Sequence, residues 1–267
     1  MISPPWLTRE RPRALLLDHG GVIVRSRKRA EAIDEVAELV AERLRRAGAV
    51  ELPVHRIAED LAAAKSAYRA WKTGNGRART VPEVSHRDYW LDLVAADWPP
   101  AARALVAAEA TPLCRALVEA SSSKRLGPGI VELLDWCRTV GIRIGIVSNT
   151  LLGDVNRTLA RQWGTLGHFA VQVHSDEVGI RKPDPEMILI ATRALGIDPG
   201  QAWFVGDNYD KDVLCARRAG VGASVLMRLS TDRDPGACPQ PDLNVADGFE
   251  LRDALAATGA EQKEGAA

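Results

Sequence analysis

Short apolar runs that stop at polar or glycine-rich residues recur along this chain and restrict the folds open to it. The clearest cover residues 14–17, 142–147, 202–205 and 223–227, and a weaker one covers 169–173. Apolar runs of about four to eight residues between turn signals are typical of strands buried on both faces of a parallel sheet. We therefore predict a largely parallel sheet that is covered on both sides.

Helical segments separate the later strands of this predicted sheet. They span residues 128–139, 185–195 and 213–219, and each is followed within two residues by a glycine. Glycine is strongly favoured just past the end of a helix, so the three stops are well marked. Strands that alternate with helices form a doubly wound, Rossmann-like α/β fold, in which ligands bind outside the carboxyl ends of the strands.

The connection between the first and second strands is too long for a simple crossover. About 120 residues separate them, whereas a crossover between parallel strands needs only roughly 10–12 residues or more. Four helices are predicted in this interval, at 28–47, 54–72, 85–98 and 100–121, with apolar residues at helical spacing. Each helix has a face to bury, so the interval is predicted to be an all-helical inserted domain.

These assignments define the domain organisation that we expect. An α/β core is formed by residues 12–24 and 125–258, and the helical insertion covers 25–124. Hinges are predicted near 25–27 and 122–127, and the tail at 259–267 is predicted to be disordered.

Composition excludes several classes of function. Lys+Arg and Asp+Glu are equal at 35 each, which argues against nucleic acid as a partner. No apolar run reaches the roughly 18 residues that span a bilayer, and the N-terminus lacks a signal-peptide pattern. Four cysteines (Cys114, Cys137, Cys215 and Cys238) are scattered without a CxxC pair, which favours free thiols. We expect a cytoplasmic protein with no membrane partner, either a monomer or a homodimer.

Polar side chains lie at the ends of the predicted strands or just before the predicted helices. They are Asp18, Ser148, Asn149, Lys182, Asp207 and Asp212. The carboxyl ends of parallel strands open on one edge of a sheet, so we expect these side chains to converge. Carboxylates can hold Mg²⁺, serine and lysine can hold phosphate oxygens, and a carboxylate can attack phosphorus. The set therefore predicts phosphoryl chemistry.

The motifs that contain these residues resemble those of the haloacid dehalogenase-like (HAD) hydrolase superfamily. They are LLLDHGGV, IGIVSNT, RKPDPE and GDNYDKD, in that order along the chain. The resemblance covers residues 13–24 and roughly 126–255, and the insertion lies where the superfamily carries its helical type-1 cap. Four motifs in order, each on a predicted strand end, are far more specific than any one of them.

The resemblance implies roles for single residues. Asp18 would be the nucleophile and a metal ligand, and Gly20 would give its backbone carbonyl to Mg²⁺. Ser148 and Asn149 would bind phosphate, and Lys182 would neutralise both phosphate and nucleophile. Asp207 and Asp212 would complete the metal site. The implied function is Mg²⁺-dependent hydrolysis of a small phosphorylated metabolite through an aspartyl-phosphate on Asp18.

Gly20 departs from the pattern of the phosphatases in this superfamily. The usual phosphatases carry Asp at this position, as the general acid and base, whereas some, including ones that act on sugar 1-phosphates, resemble this sequence in having Gly. Glycine has no side chain for that role. One explanation is a leaving group that needs no proton, such as that of a sugar 1-phosphate. Another is a substitute donor: His19 is adjacent, and the insertion offers Lys72, His55 and His86.

Two further explanations stay open. One is cleavage of a C–P or C–halogen bond, because the phosphonatases and dehalogenases of the superfamily also lack this Asp. The other is a catalytically silent ligand-binding protein. The segment WKTGNGR at 71–77 fits either a substrate loop or an ordinary interhelical turn.

Overall fold

The computed structural model describes residues 10–48, 51–228 and 240–258 and contains a six-stranded parallel sheet at its centre. Its strands are β1 (Ala14–Leu17), β4 (Arg143–Ser148), β5 (Phe169–His174), β6 (Ala202–Gly206), β7 (Ala223–Met227) and β8 (Leu243–Val245). Their order is β5-β4-β1-β6-β7-β8, so β1 is central. Leu17 is in register with Ile146 on one side and Val205 on the other, which brings these strand ends level.

Helices cover both faces of the sheet. They are α6 (Ile130–Thr139), α7 (Gly153–Gln162), α8 (Ser175–Val178), α9 (Glu186–Leu195), α10 (Leu214–Ala219) and α11 (Gly248–Ala257). Alternate residues of β1 face opposite ways: Leu15 and Leu17 pack in the cluster with α6 and α11, and Leu16 packs in the cluster with α9 and α10. The predicted doubly wound α/β class is confirmed.

The long interval between β1 and β4 forms a helical bundle with its own core. Its helices are α1 (Ala32–Arg46), α2 (Val54–Gly74), α3 (His86–Asp88), α4 (Pro100–Ala108) and α5 (Ala110–Ala120), with a π-helical turn at Tyr89–Val94. The apolar stripes of these helices meet in one buried cluster around Trp90, Leu44 and Leu61, separate from the two clusters on the sheet. We refer to residues 29–121 as the cap.

The two chain crossings between core and cap form a ribbon. β2 (Val24–Lys28) pairs antiparallel with β3 (Ser122–Leu126) over five residues of each strand. The hinges predicted near 25–27 and 122–127 are therefore hydrogen-bonded strands, because the backbone groups of each crossing satisfy those of the other.

Two other predictions concern the chain as a whole. Within the described ranges, none of the helices has both the length and the apolar character that a membrane crossing requires. Cys114, Cys137 and Cys215 are buried free thiols. Cys238 and the tail at 259–267 lie outside the described residues.

His86 connects the cap to the core and carries a charge that depends on pH. Its Nε2 lies 2.7 Å from the Leu151 carbonyl oxygen and 3.6 Å from Oδ2 of Asp176, and its Nδ1 lies 2.9 Å from the Thr111 hydroxyl. The Asp176 carboxylate, against the effect of partial burial, raises the pKa of His86 above its ordinary value of 6.5. Protonated His86 therefore stabilises the folded protein.

We expect this stabilisation to be complete below about pH 6.5 and to disappear as the pH rises through the raised pKa of His86. Its size should be under about 1 kcal/mol, because the pair is partly exposed. The measurement is the unfolding midpoint of the wild type and of His86→Gln between pH 5.5 and 8.5. The two should converge at high pH, and parallel curves would contradict the prediction.

Candidate active site

The side chains predicted to converge do so at the carboxyl edge of the sheet. Asp18 follows β1 directly, Ser148 ends β4, and Asp207 follows β6. Asp18 and Ser148 are buried, and Asp207 is half-buried. The strands are parallel and level, so the chain brings these residues together although up to about 190 positions separate them.

Lys182 is the cationic centre of the site. Its ammonium nitrogen lies 2.9 Å from Oδ1 of Asp18 and 2.8 Å from Oδ1 of Asp212, and it donates to the Val147 carbonyl oxygen at 2.8 Å. Burial by itself would lower the pKa of Lys182, but the Asp18 and Asp212 carboxylates outweigh it and raise the pKa. A lysine that is 1% exposed is stable as an ammonium here because two carboxylate oxygens and one carbonyl oxygen lie within 2.9 Å of its nitrogen.

The Asp18 carboxylate is held in one orientation by three donors. Besides Lys182, the His19 backbone N–H donates to its Oδ1 at 2.8 Å, and the Lys211 ammonium lies 3.1 Å from its Oδ2. Burial raises the pKa of Asp18, but Lys182 and Lys211 more than reverse this and lower it to about 2. Asp18 is therefore ionised at neutral pH and is oriented before any substrate arrives.

Asp212 ties the loop after β6 to the rest of the site. Its Oδ2 accepts from the backbone N–H groups of Asp207 at 3.2 Å and Asn208 at 3.0 Å. A Cβ on Gly206 would lie 2.2 Å from the Asp212 Cβ, so only glycine admits this close approach. Asp212 thus shapes the loop and also contributes charge to the site.

Three carboxylates at this edge form a donor set suited to a hard cation. Asp18, Asp207 and Asp212 each place one oxygen within 4.8 Å of the others. Burial, with the Asp18 and Asp212 charges, raises the pKa of Asp207 against the opposing effect of Lys211. Carboxylate oxygens are ligands that Mg²⁺ prefers, and three carboxylates so close together repel one another unless a cation lies between them. The residues present therefore fit a divalent ion.

Lys211 lies among the same three carboxylates and was not predicted as a site residue. Its ammonium nitrogen is 3.1 Å from Oδ1 of Asp207 and 3.5 Å from Oδ2 of Asp212, in addition to its contact with Asp18. The spacing of Asp207 and Lys211, four residues apart at the start of a helix, was the available sequence signal. An ammonium in this position competes with a metal ion for the same oxygens.

We expect Lys211→Met to bind Mg²⁺ more tightly than the wild type, by roughly tenfold, because the competing charge is gone. Calorimetric titration of the substrate-free protein measures this directly, without any turnover. Lys211→Arg keeps the charge and serves as the matched control. Weaker binding by the methionine variant would show that Lys211 does not oppose the metal.

Asn149 and Ser148 were both predicted to contact phosphate. The Asn149 side chain donates to the Lys182 carbonyl oxygen at 2.9 Å and accepts from the Lys182 backbone N–H at 2.8 Å. This pair of bonds positions the segment that carries Lys182. Ser148 is 3% exposed at the end of β4. Phosphate contact by either residue stays a prediction.

The two glycines after Asp18 differ in their surroundings. Gly21 has a φ of 83°, and a Cβ there would lie 2.1 Å from Oδ2 of Asp207, so glycine is required at this position. Gly20 is exposed, and a Cβ there would meet nothing within 4 Å. A Cβ at Gly20 would thus meet no steric obstacle.

The candidate proton donors occupy different places. His19 is 5% exposed, and burial, against the attraction of Asp18, lowers its pKa to about 4, so the ring is neutral at pH 7. His86 binds Leu151 and Asp176, as described above. His55 and Lys72 are 17 residues apart on α2, about 25 Å along the helix. Of these four, Lys72 lines the cleft beside Lys182.

The sequence model of the haloacid dehalogenase-like hydrolases matches residues 12–220. That is most of the chain. The chain belongs to this family.

Curated relatives of this HAD chain include a phosphoserine phosphatase of Thermus thermophilus, 38% identical over 46% of this chain and 48% of the relative. Phosphoglycolate phosphatase 1 of Pseudomonas aeruginosa is 33% identical over 48% of this chain and 45% of the relative. The chain thus spans about half the length of these relatives. A 2-haloacid dehalogenase from Pseudomonas syringae pv. Tomato DC3000 aligns over 91% of this chain and 97% of its own at 19% identity and a TM-score of 0.61, which supports the fold.

Proposed function

We propose that this HAD protein is a Mg²⁺-dependent phosphatase of a small phosphorylated metabolite, with Asp18 as the nucleophile. The observation that carries the proposal is the Asp18 carboxylate, buried at the end of β1 between two ammonium groups and with a pKa lowered to about 2. A surface acid needs no such surroundings. A nucleophile that must be ionised and aimed at one point does.

In the first step an Asp18 oxygen attacks phosphorus, and the bond between phosphorus and the leaving-group oxygen breaks. Lys182 holds Asp18 Oδ1 and offsets charge as the phosphoryl group approaches. In the second step water attacks phosphorus, which releases phosphate and restores the Asp18 carboxylate. Mg²⁺, held by Asp18, Asp207, Asp212 and the Gly20 backbone carbonyl, would neutralise the phosphoryl oxygens when bound.

Gly20 supplies neither a proton for the leaving group nor a base for the water. General acid–base catalysis contributes typically about 10²–10⁴-fold, so the preferred substrate should release a weakly basic group. Sugar 1-phosphates meet this condition, because an anomeric oxygen leaves more readily than a simple alkoxide. Free buried thiols at Cys114, Cys137 and Cys215 fit a cytoplasmic location for such an enzyme.

The proposal is tested by measuring phosphate release from a panel of alkyl, aryl, acyl and anomeric phosphates, with Mg²⁺ and with a chelator. We expect turnover that requires the metal and is fastest for the anomeric and acyl phosphates. A panel without turnover, combined with metal-dependent binding of a metabolite, would favour a silent ligand-binding protein.

A second candidate is C–P bond cleavage through a Schiff base on Lys72. Partial burial, followed by the charge of Arg181, lowers the pKa of Lys72, and the side chain lines the cleft beside Lys182. A lysine with a lowered pKa is more nucleophilic toward aldehydes. Borohydride trapping of Lys72 with phosphonoacetaldehyde would support this candidate.

A further inference from the structure

A cleft of about 360 Å³ lies between the end of α2 in the cap and the loops that carry the site. Lys182 and Lys211 line its core side, and Lys72, Thr73, Asn75 and Gly76 line its cap side. The sequence of segment 71–77 fits either a substrate loop or an interhelical turn. In the structure this segment borders the space that a leaving group would fill.

Most charges around this cleft are already paired. Its walls carry five cationic side chains, Arg69, Lys72, Arg181, Lys182 and Lys211, and one carboxylate, Asp210. The three site carboxylates compensate Lys182 and Lys211. Buried Glu83 accepts from Arg181 at 2.9 Å, and Arg77 pairs with Asp210.

Arg69 and Lys72 are left over from this pairing. In the described part of the chain, neither side chain forms an ion pair with a carboxylate. They lie three residues apart on α2 and therefore face the same side of the helix. The cap wall of the cleft thus carries two positive charges that have no ion-pair partner among the described residues.

Lys72 is also held in position. Its ammonium nitrogen lies 4.4 Å from the centre of the Tyr68 ring, and that ring stacks on Trp71 and meets Tyr89 edge-on. The Tyr68 hydroxyl in turn donates to Glu83 at 2.9 Å. A cation that rests on a fixed aromatic group is pre-organised to bind, because little side-chain entropy is lost when an anion arrives.

We propose that the leaving group of the substrate carries its own anionic group, a carboxylate or a second phosphate, which binds Lys72 and Arg69. This inference rests on the proposed phosphatase function and specifies its substrate class. The transferred phosphoryl group is met by the core side of the cleft, so the charges of the cap side serve another group. With a neutral leaving group, the Lys72 ammonium would face the charges of Arg181 and Lys211 with no carboxylate in ion-pair contact, because Glu83 pairs with Arg181.

The test compares pairs of substrates that share a carbon skeleton and differ in whether the leaving group carries a charge. 2-Phosphoglycolate is compared with 2-hydroxyethyl phosphate, and propane-1,3-diol bisphosphate with 3-hydroxypropyl phosphate. We expect kcat/KM to be at least about tenfold higher for the anionic member of one pair, as a charged hydrogen bond provides. A difference within the first pair would identify the anionic group as a carboxylate, and a difference within the second would identify it as a phosphate. Equal kcat/KM values within both pairs would overturn the inference.

Variants of Lys72 attribute the preference to this residue. Lys72→Met should lower kcat/KM about tenfold for the anionic member only, and Lys72→Arg should retain most of the preference. Lys65→Met, an exposed lysine of the same helix that does not line the cleft, is the matched control. An equal loss on the neutral member would make Lys72 a proton donor and overturn the anion site.

A binding measurement separates this inference from the proposed function. Calorimetry with Asp18→Asn compares 2-phosphoglycolate with 2-hydroxyethyl phosphate and propane-1,3-diol bisphosphate with 3-hydroxypropyl phosphate, without turnover. Tighter binding of one anionic compound, lost on adding Lys72→Met, supports the anion site even if no phosphate ester is hydrolysed. Equal binding within both pairs overturns the anion site even in an active phosphatase.

Discussion

Asp18→Asn should lower the rate of phosphate release by on the order of 10³-fold or more, because an amide oxygen is a far weaker nucleophile than a carboxylate. The side chain keeps its shape and can still accept from the His19 backbone N–H and from Lys182. Lys182 also keeps its contact with Asp212 at 2.8 Å, so the buried ammonium retains one carboxylate partner. The measurement is steady-state phosphate release together with the thermal unfolding midpoint.

The control for this prediction separates loss of the nucleophile from loss of the fold. Asp253→Asn makes the same chemical change at an exposed position on α11 and should alter neither activity nor stability measurably. Some destabilisation of Asp18→Asn is expected, because one buried ion pair is lost. Turnover by a folded Asp18→Asn variant at a rate near that of the wild type would refute the assignment of Asp18.

The central sheet could be predicted from the sequence because its strands are buried on both faces. Residues 14–17 and 223–227 were predicted as strands and form β1 and β7 with the same bounds. A two-sided environment demands continuous apolar residues, and such runs stand out from amphipathic helices. The convergence of Asp18 and Asp207 followed from strand direction alone, since parallel strands end at one edge.

The ribbon that joins core and cap could not be predicted in the same way. β2 reads VRSRK and β3 reads SSKRL, and neither offers an apolar alternation. Their pairing depends on the meeting of two chain crossings nearly 100 residues apart, which local patterns do not encode. Hinges were predicted there because the two segments bound the helical insertion.

The inner contacts of the site were hidden for a related reason. Asn149 binds the backbone of Lys182, and Lys211 reaches Asp18 across 193 positions. Sequence motifs name the residue types at a site, but the partner of each side chain is set by tertiary packing. The motif of Asn149 therefore did not indicate its contact with the Lys182 backbone, and Lys211 was not predicted as a site residue.

Gly20→Asp should raise the turnover of alkyl phosphates by about 10²-fold or more, because it supplies the proton that a basic leaving group needs. The substitution is sterically open: a Cβ at Gly20 meets nothing within 4 Å. The gain should be small for p-nitrophenyl phosphate, whose leaving group departs without a proton. The ratio of kcat for 2-hydroxyethyl phosphate and p-nitrophenyl phosphate, in variant and wild type, measures the effect.

Gly20→Asn is the matched control, since it has nearly the same size and hydrogen-bonding reach but cannot transfer a proton. It should leave the ratio unchanged. An equal gain on both substrates, or the same gain from asparagine, would show that the new side chain acts by packing or by binding. In that case the chain already has a proton donor for alkyl leaving groups, and Lys72, the one of the four candidate donors that lines the cleft, is the first residue to substitute.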